Sequence, residues 1–208
     1  MIDLVATKES SDKLDPTVLT AGALASPGPA RTVKDYFALA IATCGVGYIP
    51  IAPGTFGSVV GVGLWIGLRG LLLALLWPAA ARNNLNLLHI SFALVAGLCL
   101  AAVVVTLIGV WAGARVEKLH GAKDPQKVVI DEVAGQLIAL IAVPLHAESW
   151  WTILLAFVLF RFFDIVKPYP ASRFEKLHGG LGIMADDVVA GIYAAICVAL
   201  MVSIGWFS

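Results

Sequence analysis

Charge is what this sequence has least of. Only 13% of its 208 residues are Asp, Glu, Lys or Arg, about half the share usual in a soluble domain. With 60% hydrophobic residues, that scarcity excludes an ordinary soluble domain and predicts an integral membrane protein. The 14 basic and 14 acidic residues cancel, so no bulk attraction to nucleic acid is expected. Cysteine is scarce too. Cys44, Cys99 and Cys197 are odd in number, far apart and set among apolar residues. That pattern speaks against a disulfide framework or a thiolate metal site and leaves them as helix-packing residues. The first residues lack the basic-then-apolar order of a signal peptide. Residues 1–35 are expected to form a flexible cytoplasmic tail, and 36–208 a single membrane domain.

What is there is apolar runs. Ser58–Ala81, Leu87–Ala114 and Val188–Phe207 are long enough to cross about 30 Å of hydrocarbon. Val133–Leu145 and Trp150–Phe163 are shorter, with Pro144 near their junction. They read as two short spans or as a re-entrant hairpin. Tyr36–Ile51, broken by Gly45, Gly47 and Pro50, is expected on the membrane or partly within it. The fold class is therefore all-α, a polytopic membrane bundle of about five segments, two of them short. Lys and Arg gather before the first span, in Arg115–Lys127 and in Arg161–Lys176. By the positive-inside rule those three regions are cytoplasmic. Arg69, in the middle of the first span, is a functional suspect by position, but packing against another helix or snorkelling explains it more simply.

The acids beyond the tail fall mostly at segment ends on that same side. Asp131 and Glu132 open the third segment, Asp164 closes the fourth, and Asp186 and Asp187 open the fifth. DEVAG (131–135) and DVVAG (187–191) repeat an Asp four residues before a Gly, which puts both on one helix face. Each Gly permits close helix approach, so the two helices are expected to aim carboxylates at one point, with a local two-fold along the membrane normal. Acids at helix N-termini complement the helix dipole, yet Asp164 sits at a C-terminal end, where that account fails. Converging carboxylates repel by several kcal/mol per close pair, on the order of 4 at an effective dielectric of 20. A hard cation such as Mg²⁺ suits all-oxygen ligands. Asp131, Asp164, Asp186 and Asp187 are the expected metal ligands, with Glu132 as ligand or base. Two Gly-rich turns before helices, APGTFGS (52–58) and HGGLGIM (178–184), resemble anion sites. Thr55, Gly57, Ser58, Gly179 and Gly180 are thus candidate phosphate contacts. Thr55 or Ser58 is also a candidate cap for the first span. Arg161 and Lys167, in RFFDIVKPYP (161–170), are candidates to neutralise phosphate oxygens.

Four stretches, PIAPGTFGS (50–58), IDEVAG (130–135), FRFFDIVKPYP (160–170) and HGGLGIMADDVVAG (178–191), occur in an order and spacing that resemble phosphatidylglycerophosphatase A. The resemblance covers the chain from about Tyr36 onward. It implies a Mg²⁺-dependent enzyme of the bacterial inner membrane that converts the phospholipid phosphatidylglycerophosphate to phosphatidylglycerol and phosphate. Asp131, Glu132, Asp164, Arg161 and Lys167 are the catalytic groups expected from the charge pattern. Rival lipid enzymes fit poorly. SRFEKLH (172–178) is one residue short of the histidine phosphatase pattern, and the DG pair of the CDP-alcohol phosphotransferases is absent. The alternative from another class is a small membrane transporter or channel using clustered carboxylates.

Overall fold

Local sequence punctuation sets most of the helix ends. The structure, a computed structural model, describes residues 31–121, 125–174, 177 and 179–205. Most of the expected tail lies outside the described residues, as do Lys123, Lys176 and His178. The elements are α1 (Val33–Thr43), α2 (Pro53–Arg82), α3 (Leu87–His120), α4 (Ile130–Ile141), a 3-10 turn (Leu145–Ala147), α5 (Trp150–Val166), α6 (Ala171–Phe174) and α7 (Gly180–Ser203). No strand occurs among the described residues, in accord with the all-α expectation. α2 opens on Pro53, where a missing N–H costs nothing. The side chain of Asn86 accepts from the N–H of His89 to start α3, and Gly121, at φ 64°, ends it. Ser149 accepts from the N–H of Thr152 to start α5. Pro168 disfavours helical geometry at the residue before it, and Lys167 ends α5 in the left-handed region, at φ 45°.

Several boundaries differ from the sequence reading. α1 begins at Val33, inside the segment read as tail, and Asp35 in its first turn accepts a 2.6 Å bond from Nε of Arg115. Neither Thr55 nor Ser58 caps α2. The N-cap is Ala52 without a side-chain bond, and the Ser58 hydroxyl donates to the carbonyl of Gly54 at 3.0 Å. α7 starts at Gly180 rather than Val188, because the Gly-rich run continues into helix and packs on α3.

α2, α3 and α7 are long and apolar enough to cross a membrane, at about 45, 51 and 36 Å by helical rise. α4, about 18 Å long, is the centre of the bundle. It packs against α2, α3, α5 and α7. Ile130, Val133, Ala134, Leu137, Ala139 and Leu140 are buried on all sides of it, as expected of a helix with no solvent face. α5 returns the chain to the end from which α4 started. On the outside, Leu71, Leu75, Phe92, Leu100, Leu107 and Leu200 are exposed, a surface suited to lipid. Trp150 and Trp151 at the α4–α5 turn are exposed as well, consistent with an interfacial belt.

Two parallel pairings position the site. Along α2 and α4, Gly57 faces Val129 and Glu132, and one turn deeper Gly61 faces Val133 and Gln136. Between α4 and α7, Gly191 lies against the backbone of Gly135, and a Cβ added at Gly135 would fall 2.7 Å from the carbonyl oxygen of Asp187. The glycines of DEVAG and DVVAG therefore meet at the crossing. Arg69 is buried in α2. Its Nε and Nη2 donate to Oε2 of Glu148 at 3.0 and 2.7 Å, and its Nη1 donates to the carbonyl of Val143 at 3.1 Å. Its guanidinium also lies 4.8 Å over the Trp65 ring. The central arginine thus ties the tip of the α4–α5 pair to α2.

Candidate active site

Three helices bring their charged residues to one end of the bundle. The first turn of α4 carries Asp131 and Glu132, the last turns of α5 carry Arg161 and Asp164, and α7 carries Asp186 and Asp187. They surround a cavity of about 350 Å³ lined by Pro53, Gln126, Val128, Asp131, Glu132, Asp164, Lys167, Asp186 and Asp187. All five acids singled out in the sequence line this one cavity.

The structure divides those acids into two sets. One carboxylate oxygen from each of Asp131, Glu132 and Asp187 lies within 4.8 Å of the others. Asp164 and Asp186 are each held in a close ion pair. Nη1 of Arg161 is 2.7 Å from Oδ2 of Asp164, and Nζ of Lys167 is 2.7 Å from Oδ2 of Asp186. Glu132, set apart from Asp131 by about 100° of helix rotation, nevertheless joins its cluster through its longer side chain. Lys167 and Asp164 line the same cavity, and Lys167 also reaches Asp186 across to α7. It does so from the left-handed end of α5.

Asp186 and Asp187 do not open a helix. They sit six and seven residues past Gly180, beyond the first turn in which the dipole stabilises an acid. Both are nearly buried. Desolvation without a counter-charge is costly, and this pair therefore needs local positive charge. Lys167 answers for Asp186. Among the described residues, five carboxylates around the cavity are paired with Lys167 and Arg161, a formal excess of three negative charges in that set. Oε2 of Glu132 and Oδ1 of Asp186 are buried without a hydrogen-bond partner. Clustered hard oxygens with unmet acceptor capacity fit a divalent cation of the Mg²⁺ type.

Apart from Pro53, the Gly-rich turns lie beside this centre rather than along its lining. Gly57 backs onto Val129 and Glu132. The Ser58 hydroxyl is buried, 3.5 Å from Nη1 of Arg161. Gly179, at φ 78°, precedes α7, and Gly180 packs against the backbone of Val110 in α3. Thr55, Gly57, Ser58, Gly179 and Gly180 are all outside the cavity lining. Sequence reading passed over Gly54, which sits directly against Oε1 of Glu132, so that a side chain there would displace the Glu132 carboxyl group. It also passed over Pro53, Gln126 and Val128 as lining residues, although Pro53 lies within a stretch singled out for its turn. Cys44 is close enough for the Glu132 carboxylate to act on it. Burial first, and that charge second, push its thiol upward.

Residues 39–202 match the family model described as phosphatidylglycerophosphatase A. A Haemophilus influenzae phosphatidylglycerophosphatase A is 41% identical over 156 residues, 74% of this chain and 81% of that protein. The Escherichia coli phosphatidylglycerophosphatase A is 34% identical over 152 residues, 73% of this chain and 74% of that one. A Bacteroides thetaiotaomicron protein, named provisionally as a phosphatidylinositol-3-phosphatase, is 40% identical over 158 residues, 75% of this chain and 87% of that protein. No solved structure matches the chain. With most of its membrane bundle matched, including every acid of the cavity, the chain belongs to the phosphatidylglycerophosphatase A family.

Proposed function

We propose that the cavity binds Mg²⁺ and hydrolyses the phosphate monoester of phosphatidylglycerophosphate to phosphatidylglycerol and inorganic phosphate, at the cytoplasmic face of a bacterial inner membrane. The excess of negative charge carries this reading. A phosphomonoester has close to two negative charges at neutral pH. Among the described residues, five carboxylates against two cations would repel it unless a cation entered as well. Mg²⁺ typically takes one or two carboxylates and completes its shell with water and substrate phosphate oxygens. Asp131 and Asp187 are the ligands this reading needs, with Glu132 beside them. When bound, the ion would neutralise phosphate charge and make a water more acidic.

The remaining work falls to the chain itself. Arg161 and Lys167 supply positive charge on the α5 side. Their ion pairs with Asp164 and Asp186 hold both head groups in place before substrate arrives, so little reorganisation is needed as charge develops. Glu132 is assigned the proton of the attacking water. The water oxygen bonds to phosphorus, the ester P–O bond breaks, and the departing glycerol oxygen takes up a proton.

The basic residues support the orientation. Arg115, Lys118, Lys127, Arg161, Lys167 and Arg173 belong to the site end of the bundle, whereas Arg82 lies at the opposite end of α2, as the positive-inside rule requires of a cytoplasmic site. A carboxylate-lined transporter would spread its acids along a path, but here five gather at one end. The Bacteroides relative bears the name of a different lipid phosphomonoesterase, so substrate choice has to be tested directly. Purified protein should release phosphate from phosphatidylglycerophosphate in the presence of Mg²⁺, and faster than from phosphatidylinositol 3-phosphate. The reverse order would change the substrate, and no release from either would end the phosphatase reading. Reporters placed in the α3–α4 connection should read cytoplasmic, and a periplasmic signal would invert the site.

A further inference from the structure

Beneath the cavity, the seam between α2 and α4 holds polar groups that the chemistry above does not use. Nε1 of Trp65 and both Nε2 and Oε1 of Gln136 are buried without a hydrogen-bond partner, and so, one turn nearer the cavity, is Oε2 of Glu132. Trp65 and Gln136 are fully buried. Each buried polar atom left unmet costs on the order of 1–3 kcal/mol.

Their positions are matched. Gln136 follows Glu132 by four residues and shares its helix face. Gly61 packs on Cβ and Cγ of Gln136, and Trp65 follows Gly61 by four on α2. α2 and α4 run parallel away from the cavity, and helical side chains lean toward the N-terminus of their own helix. Both sets therefore lean toward the site, Trp65 toward Gln136 and Gln136 toward Glu132. The chemistry is matched as well. An indole N–H only donates, a carboxamide accepts at oxygen and donates at nitrogen, and a carboxylate only accepts. The Arg69 guanidinium lies over the Trp65 ring and supports it from below.

None of these four atoms is bonded to another in the structure; we propose that small side-chain rotations close them into a relay, Trp65 Nε1–H to Gln136 Oε1 and Gln136 Nε2–H to Glu132 Oε2, which makes Gln136 a positioning residue for Glu132. The relay holds one carboxylate oxygen from below and leaves the other, which lies against Gly54, toward the substrate. This rests on Glu132 being the base of the proposed hydrolysis.

The experiment uses the full chain in detergent, with Gln136→Leu, Trp65→Phe and the double variant. Gln136→Leu should lower kcat about tenfold or more, the scale of a misplaced catalytic group, with KM within about twofold. Trp65→Phe should cost less. The double variant should be no slower than Gln136→Leu, because Trp65 acts through Gln136. A second readout needs no substrate or metal. In nitrogen-15 spectra, the indole N–H resonance that Trp65→Phe removes should shift upfield in Gln136→Leu and exchange faster with water. If Gln136→Leu does not fold, Trp65→Phe alone should still lower kcat without raising KM. An unmoved indole signal, independent additive losses, or a wild-type kcat in these variants would overturn the relay. Wild-type protein that releases no phosphate from either lipid would instead overturn the proposed function, leaving the indole measurement to decide the relay.

Discussion

Nζ of Lys167 lies 2.7 Å from Oδ2 of Asp186, joining the left-handed end of α5 to the second turn of α7. That bond fixes a cation at the cavity wall, and the hydroxyl of Tyr193 on α7 holds the same turn through the carbonyl of Tyr169 at 2.9 Å. Lys167→Gln should lower kcat/KM by at least roughly a hundredfold, about 2.7 kcal/mol of transition-state stabilisation. Lys118, exposed on α3, is the control. Lys118→Gln should cost less than about threefold in the same lipid assay. Equal losses at both positions would reduce Lys167 to general attraction for anionic lipid.

Metal dependence should separate the two sets of acids. EDTA should abolish phosphate release and Mg²⁺ restore it. Asp131→Asn and Asp187→Asn should raise the Mg²⁺ concentration needed for half-maximal activity by about tenfold or more, since each removes a clustered oxygen. Asp186→Asn should act mainly on KM for the lipid, by loosening Lys167. Titrations of initial rate against Mg²⁺ distinguish these outcomes, and an unchanged requirement in Asp187→Asn would remove it from the ligand set.

The Gly135–Gly191 crossing sets the distance between the α4 and α7 carboxylates. Gly191→Ala places a methyl against the backbone of Gly135, which has no flexible end to move aside. It should destabilise the fold by about 1–3 kcal/mol and lower activity more than Mg²⁺ can rescue. A methyl at Gly67 meets nothing within 4 Å, so Gly67→Ala should be neutral or slightly stabilising. Thermal unfolding in detergent tests both. Similar midpoints for the two variants would mean that the crossing is loose.

The Arg69–Glu148 pair should respond asymmetrically. Arg69 is 3% exposed and Glu148 is 42% exposed. Glu148→Gln leaves a buried guanidinium short of its counter-charge and should destabilise by about 2 kcal/mol or more. Arg69→Met leaves a carboxylate that water can reach and should cost less. The order of the two unfolding midpoints is the measurement, and a reversed order would place the energetic burden on Glu148.

Much of the site could be read from sequence because charge is expensive in so apolar a chain. Asp131, Glu132, Asp164, Asp186 and Asp187 stood out for that reason, and the DEVAG and DVVAG spacing correctly placed small residues where α4 meets α7. Pairing was harder to read. Local spacing put Lys167 near Asp164 but gave no sign of Asp186, which Lys167 reaches from the left-handed end of α5. The run from Gly179 to Gly182 looks like a loop by propensity. Packing against α3 overrides that and starts α7 there. Glu148 carried no local signal at all, since its partner is 79 residues away. Gln136, neutral within a helix, differs from a packing residue only by the atoms it leaves unmet.

That separation of Arg69 from Glu148 also orders events during synthesis. When α2 enters the membrane, its arginine has no counter-charge and must wait for 79 further residues. An uncompensated arginine at a helix centre disfavours insertion by roughly 2.5–3.5 kcal/mol on translocon scales. α2 therefore inserts against that penalty until the α4–α5 turn has been made. In chains stalled before residue 148, Arg69→Leu should strengthen the insertion of α2. In the completed chain it should not, because by then Glu148 has arrived.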